Sequence, residues 1–295
     1  MKKVFVIGGA SYDSIIYLPQ FPGNIPQTIH QCKFQETLGS TGIGKALNLE
    51  KLDFKVTLHA LIGNDVWGKK IISSMQQSPV KFLYHIDENG TERHTNIMNR
   101  SGERISIFTN TLNPEGSINF NEIKAEVLQA DYVVVNLTDY CKPIIKQVHS
   151  LEIPIWTDLH DYDGRNPWHE PFIEYSNYIF LSSDNLPDYK PFMQEMIDAG
   201  KELVVVTHGK KGSTALTKNG EWIETEAFTN YELIDSNGAG DAYFSGFLYG
   251  YNQNKTIIEC MKLGSIVGAL CINSNKLSNS NLTYDMIEKL FNEMS

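Results

Sequence analysis

No stretch of this chain is long and apolar enough to cross a bilayer. It also has no run of Lys and Arg. A formal net charge of -10 and a pI near 5.3 argue against a nucleic-acid backbone as partner, because such binding draws on clustered cations. Cysteine is sparse: Cys32, Cys141, Cys260 and Cys271 are scattered without a C-x-x-C pair, so neither a zinc knuckle nor a disulfide framework is implied. A reduced, cytoplasmic protein is the simple expectation. Internal repeats, linkers and low-complexity segments are missing too. Lys2-Lys3 followed by Val4 to Ile7 has the charge of a signal peptide, but its apolar run is too short and turns at once into Gly8-Gly9. What remains is 295 residues of ordinary globular composition, enough for a full-sized core in one domain.

Val4 to Ile7, Val56 to Ile62, Tyr132 to Leu137, Ile153 to Thr157, Tyr178 to Leu181 and Leu203 to Thr207 are short apolar runs that read as buried parallel strands. Between them the spacing predicts helices at Leu47 to Leu52, up to Met75, over 121–130 and at Ile144 to His149. That alternation is the signature of a parallel sheet wound on both faces. Thr214 to Thr217 and Glu221 to Ile223 read as a hairpin across Lys218-Asn219-Gly220. Ile257 to Ile272 is an apolar helix with small residues at Gly264, Ser265, Gly268 and Ala269, and Thr283 to Met294 reads as a final surface helix. Residues 14–38 are broken by Pro19, Pro22, Gly23 and Pro26, and 81–110 turn at Asn89-Gly90; both read as extended excursions that build a small sheet outside the main domain.

The chemistry concentrates in Asp235-Ser236-Asn237-Gly238-Ala239-Gly240-Asp241, with the apolar run Ala242 to Leu248 behind it. Three small residues let successive amides converge on one spot, and a helix starting there adds the positive end of its dipole, so the geometry holds an anion. A carboxylate at position 241 is costly beside an anion unless it accepts a proton from a hydroxyl. On the residues alone another reading stands: Asp235 or Ser236 caps the helix and the glycines make a tight turn.

Two other glycine-rich stretches invite different functions. Gly39 to Lys45 satisfies G-x-x-x-x-G-K-[ST] except at the last position, where Ala46 replaces the hydroxyl that would hold magnesium, and Gln35 to Leu38 before it is too polar for the buried strand a P-loop requires. Gly8-Gly9-Ala10-Ser11-Tyr12-Asp13 does not complete the dinucleotide pattern G-x-G-x-x-G. His160, Asp161, Asp163 and His169 lack helical metal-ligand spacing and sit beside Gly164 and Pro167, so they read as a polar loop, with Arg165 a guess for the cleft.

Taken together, these motifs resemble the ribokinase-like, or PfkB, family of carbohydrate and nucleoside kinases. Asp235 to Asp241, with Ser245-Gly246 after it, is similar to the family's C-terminal signature. The resemblance implies Asp241 as catalytic base and the amides of Gly238, Ala239 and Gly240 as the anion hole. Gly39, Thr41, Gly42 and Ala46 fit the N-terminal signature G-G-x-G-x-N-x-A, with Ser40 where the second glycine belongs and Gly44 where the asparagine belongs. That match implies that Gly39, Ser40, Thr41 and Gly42 touch a sugar whose hydroxyls Asp13 reads, a turn cap being the alternative for Asp13. Lys45 is either a solvated helix residue or a contact for an anionic substrate group.

Gly63 to Gly68 is similar to a G-x-D-x-x-G turn in which Asp65 lines the site or caps a helix. Thr207, Gly209 and Gly212 fill a T-x-G-x-x-G turn implied to contact ATP, His208 being incidental. Asn237 and Gly240 join that contact. The small residues of 257–272 admit close packing or an adenine ring, and Asn273 after them bonds the base or caps the helix. The family's N-x-x-E, implied to position magnesium through water, is replaced by Ser182 and Asn185, with Asp184 the only carboxylate there. Asp235 and Asn237 match positions at which some relatives bind potassium.

The implied architecture is a three-layer α/β/α fold with a mostly parallel central sheet and a small β-sheet lid, one domain over 1–295 with the lid drawn from parts of 14–38 and 81–110. The implied activity is transfer of phosphate from ATP, with Mg2+ and in some relatives K+, to a hydroxyl of a small sugar. A nucleoside is the close alternative. A sugar phosphate has a poorer case, its handle being Lys45 or an arginine between Arg93 and Arg104. From a different class, the departures at Gly44 and Asn185 fit a sugar- or nucleotide-binding regulator with weak catalysis. The exposed edge of the lid implies a homodimer through it.

Overall fold

The computed structural model describes residues 1–293, and position 294 of the expected last helix lies outside them. In chain order the strands are β1 (Lys3–Ile7), β2 (Ser11–Tyr17), β3 (Lys33–Gly39), β4 (Lys55–Gly63), β5 (Lys81–Asp87), β6 (Arg93–Met98), β7 (Arg104–Asn110), β8 (Tyr132–Val135), β9 (Ile155–Asp158), β10 (Tyr178–Ser182), β11 (Leu203–Thr207), β12 (Ser213–Thr217) and β13 (Trp222–Thr225). The helices are α1 (Thr41–Lys51), α2 (Val66–Met75), α3 (Lys124–Gln129), α4 (Cys141–His149), α5 (Glu170–Tyr175), α6 (Lys190–Asp198), α7 (Ala239–Asn252), α8 (Ile257–Ile272) and α9 (Tyr284–Glu293). None of them is long and apolar enough to cross a membrane.

Nine strands form one sheet in the order β13-β12-β11-β10-β9-β8-β1-β4-β5, parallel from β5 through β11 and antiparallel at β12 and β13. Side chains alternate across a strand, so Val4 and Val6 of β1 enter one core with Leu58 and Val205, while Phe5 and Ile7 enter the other with Val133 and Val204. α1, α2, α7, α8 and α9 cover the first face; α3, α4, α5 and α6 cover the second. Burial on both faces is why these strands read as unbroken apolar runs.

Helix α7 is anchored by aromatics. Trp156 of β9 stacks on Tyr178 with ring centroids 4.0 Å apart and meets Phe244, Phe247 and Tyr251 on α7. On its far side α7 presses against α8: a Cβ at Gly246 would lie 2.6 Å from the Leu263 carbonyl, and one at Gly264 would lie 2.8 Å from that of Tyr243. The small residues of α8 therefore serve close helix packing. Ser265 adds an Oγ that accepts the amide of Phe228 at 2.7 Å.

The second sheet is small and mixed, in the order β3-β2-β6-β7. Its composition corrects the expected lid. Lys81 to Asp87 is not part of it: β5 pairs with β4 along Thr57 to Gly63 as the edge of the main sheet. An edge strand with one covered face alternates in the same way as a strand of a small sheet, so periodicity does not separate the two. Asn89-Gly90 is accordingly the passage from the main sheet to the small one. Ser11 to Asp13 belongs to β2 rather than to a turn beyond β1.

Between the two sheets, α1 begins at Thr41, earlier than its amphipathic stretch indicates, and a side chain at Gly42 would collide with the carbonyl of Gly8 in the turn after β1. Ser40, the cap of α1, has φ 69° and ψ 155°, a region that glycine alone occupies comfortably. This explains why the family signature has glycine at that position, and it makes Ser40 a strained residue. Ser40→Gly is expected to raise the unfolding free energy by about 1 kcal/mol. Thermal and urea denaturation of the variant read this directly, and a destabilised Ser40→Gly protein contradicts it.

Candidate active site

Asp13 on β2 is 2% exposed and faces the inner side of the small sheet. Its Oδ1 accepts the amide of His94 at 3.2 Å, its Oδ2 lies 3.5 Å from Asn96 Nδ2 and 3.3 Å from His94 Nδ1, and Gly39 abuts the carboxylate so closely that no Cβ fits there. His94 Nε2 in turn lies 3.3 Å from Glu92 Oε1. Burial works against a charged imidazole, but the hydrogen bonds and charges of Asp13 and Glu92 outweigh it and push His94 up to about 9. A charged imidazole therefore stands beside the Asp13 carboxylate on the inner face of the small sheet.

The chain from Gly39, at the end of β3 beside Asp13, passes into the first turn of α1, where Gly44 lies beside Asp241. At Gly44 a Cβ would lie 2.6 Å from Asp241 Oδ2, so the carboxylate occupies the space a side chain would need. Lys45 next to it is not solvated. It is fully buried, with Nζ 2.5 Å from Asp241 Oδ1, 3.2 Å from Asp158 Oδ2 and 5.3 Å from the centre of the Phe244 ring. Burial would lower the lysine, yet Asp241 and Asp158 together hold it above its usual value. Burial likewise opposes ionisation of Asp158, but His160 and Lys45 bring it down to about 2.

Asp241 is 6% exposed, in the first turn of α7, and Oδ2 accepts no hydrogen bond from the described residues. Gly238 caps α7 in the left-handed region at φ 81°, which turns the chain into the helix and leaves the first-turn amides without intrahelical acceptors. The space beside Gly240 is open to 4 Å. Ala239 differs from its expected role: its amide closes a turn on the Ser236 carbonyl at 3.3 Å. Asp235 is buried, with Oδ2 accepting from the Tyr17 hydroxyl at 2.7 Å and Oδ1 from the Asn237 amide at 2.8 Å. Asn237 accepts from Arg104 at 2.7 Å, and Ser236 donates to the Gly102 carbonyl at 2.7 Å, so the β6–β7 hairpin rests on this loop.

The remaining candidates lie at the carboxyl ends of the parallel strands, the edge at which such sheets bind ligands. Thr207 ends β11 level with Ser182 of β10, and Gly209 and Gly212 follow it with positive φ. A side chain at Gly212 would strike the Thr225 carbonyl, so both the packing and the positive φ require glycine there. His208 bridges Ser183 and Thr214, both at 2.9 Å, which ties the two loops together. Asp184 is exposed and Asn185 donates to the Asp161 carbonyl at 2.9 Å, with the Asp161 carboxylate 3.4 Å away. Asn273 uses its amide on the Glu232 carbonyl at 3.0 Å as it ends α8. Asp65 caps α2 through the amides of Trp67 and Gly68 and also accepts from Thr91, a structural role.

Reading the sequence did not single out Asp158, His94 or Tyr17; it placed His160 in a polar loop and Arg104 only within a stretch offered as a handle for a sugar phosphate. Only Asp158 carried a signal, an acidic residue at the end of a strand pattern.

The family model described as pfkB family carbohydrate kinase matches residues 1–150 and 178–283. The acarbose 7(IV)-phosphotransferase of an Actinoplanes species is 30% identical over 277 residues, covering 90% of this chain and 90% of that protein. Among solved structures, a microbiome-derived acarbose kinase superposes with a TM-score of 0.90 at 22% identity over 99% of both chains. The ribokinase of Giardia lamblia superposes with a TM-score of 0.85 at 16% identity, over 100% of this chain and 99% of its own.

The raised His94 predicts a pH dependence with a definite sign. The group's stabilisation is complete below the unfolded value of 6.5 and is lost as pH rises through about 9. Urea unfolding from pH 6 to 10 is expected to show a fall on the order of 3 kcal/mol across that window. His94→Gln should lack this fall; parallel curves for the two proteins refute the assignment.

Proposed function

Because the chain belongs to the PfkB family of carbohydrate kinases, we propose that it transfers the γ-phosphoryl group of ATP to a sugar hydroxyl with Asp241 as general base. The observation that carries this reading is the place of Asp241, in the first turn of α7 behind the left-handed Gly238, with Oδ2 left free over Gly44. The acceptor O–H bond breaks, its proton passes to Asp241, the oxygen attacks phosphorus in line, and the electron pair of the breaking P–O bond leaves with ADP. The amides of Gly238 and Gly240, with the dipole of α7, face the developing charge. The Ala239 amide joins them once its long bond to Ser236 opens.

Magnesium, which the family implies, neutralises the phosphate oxygens when it arrives with the nucleotide. The oxygen donors of Asp161, Asp184 and Asn185 suit it through water, and Asp161 supplies a carboxylate that the 182–185 loop has only in Asp184. Asp235 Oδ2 and Oδ1 accept the Tyr17 hydroxyl and the Asn237 amide, and no step is assigned to potassium. Thr207 and Gly209 line the nucleotide end on this reading, while Asn273 reaches a base only by releasing Glu232.

As substrate we favour a sugar over a nucleoside, on the donor and acceptor pair of His94 and Asp13 and on the relationship to the acarbose phosphotransferase. Acarbose belongs in the substrate panel beside simple sugars and nucleosides. We also assign a second copy of the chain to the outer face of the small sheet. Phe34, Ile16, Ile97 and Ile105 lie in register as one apolar row across all four strands, with Phe34 58% and Ile105 43% exposed. A two-fold axis lays such a row against itself.

Asp241→Asn is expected to leave the fold intact and to lower kcat by about 100-fold or more. Coupled ADP release over the substrate panel checks it, and undiminished turnover would rule Asp241 out as the base. Thermal stabilisation by sugar without ADP release from the wild-type protein would instead favour a binding regulator. Sedimentation of the Ile105→Asp variant tests the dimer: a monomer is expected where the parent sediments as a pair.

A further inference from the structure

Lysine 45 is the one cation sealed completely within the site, and neither the packing of the core nor the proton transfer assigned to Asp241 by itself requires it. A buried ion pair is a weak source of stability, because removing both charges from water costs about as much as their attraction returns, and an apolar side chain of the same length would fill the space. The charge is nonetheless kept, and it touches the one carboxylate that must be ionised for the reaction to begin.

We propose that Lys45 is a positioning residue: its ammonium pairs with Asp241 through Oδ1, so that Oδ2 stays turned toward the acceptor hydroxyl across the gap left by Gly44. The inference rests on the reading of Asp241 as general base and deepens it. Gly44 and Lys45 act as a unit. Glycine at 44 makes room for the carboxylate, and the lysine one residue on fixes the carboxylate there. In this structure a side chain at position 44 would intrude on the space Oδ2 occupies.

Every charged or titratable group facing this cluster is accounted for. Asp241 comes from α7, and Asp158 from the end of β9; His160 follows β9 with Nδ1 3.5 Å from Asp158 Oδ2. The uncharged face of Phe244 covers the ammonium from α7. From α8 the Cys271 thiol, pushed up to about 12 by burial and by Asp241 and Asp235, stays neutral. The ammonium and two carboxylates carry a net charge of -1 at rest. Once Asp241 has taken the substrate proton the sum is zero, and Lys45 keeps its own proton throughout. The proton on Asp241 returns to solvent after the products leave.

Lys45→Met tests this through kcat and kcat/KM measured against pH. Without the cation, the acid limb of both profiles is expected to move up by about one pH unit or more, because a neighbouring positive charge favours the ionised carboxylate. kcat at neutral pH is expected to fall by about 100-fold while the KM values for ATP and sugar change by less than about threefold. Lys45→Arg keeps the charge and should keep the acid limb. An unmoved acid limb in a folded Lys45→Met protein overturns the inference, even if kcat falls, since a merely structural lysine would do that. Should that variant not fold, Lys45→Met combined with Asp158→Asn removes one stranded carboxylate and carries the same expectation. Asp241→Asn separates the two levels: full turnover there removes the base and this inference with it, whereas an inactive Asp241→Asn beside an unshifted Lys45→Met removes the lysine alone.

Discussion

One contact organises the site: an ammonium closed off from water between two carboxylates, where α1, α7 and the end of β9 meet. Each partner comes from a different element, so the cluster holds only if all three are in register. The aromatic packing of Trp156 against α7 sets the height of that helix on the sheet, and the close approach of Gly42 to the turn after β1 sets the height of α1. A shift of one turn in α1 would leave two buried carboxylates without a counter-ion, and one in α7 would part Asp241 from its own, which costs far more than the contact itself returns. The ion cluster therefore acts as a geometric check on the assembled fold more than as a source of stability.

The small sheet is coupled to the same region from the other side. Its inner face carries Asp13, His94 and Asn96; its β6–β7 hairpin reaches the loop before α7 through Arg104 and Gly102, and β2 reaches it through Tyr17. The polar residues of that inner face and the loop before α7 are thus joined by hydrogen bonds from one small sheet. Asp235 accepts the Tyr17 hydroxyl from it on one oxygen and the Asn237 amide of its own loop on the other. Alternation along the strands puts polar residues on this face and the row from Phe34 to Ile105 on the opposite one.

Much of this was legible before any coordinates. Strands buried on both faces announce themselves as apolar runs, and the small residues from Asp235 to Asp241 point to a tight turn into a helix, because backbone freedom is a local property. The edge strand over 81–87 was misplaced for an equally physical reason: the same alternation fits either sheet, and only pairing with β4 decides. The sequence leaves Lys45 as either a solvated helix residue or a contact for an anionic substrate group, since lysine on a helix usually faces solvent. Nothing near it in the chain shows that Asp158 and Asp241, more than a hundred residues away, converge on it.

Local geometry and composition were thus set by the sequence itself: which segments are strands, where an anion can sit on a helix end, why glycine suits position 238 and is replaced at some cost by Ser40. Tertiary structure alone decided which charges meet. Ion pairing in an interior depends on distances between elements far apart in the chain, and those distances exist only once the two cores have closed around the sheet.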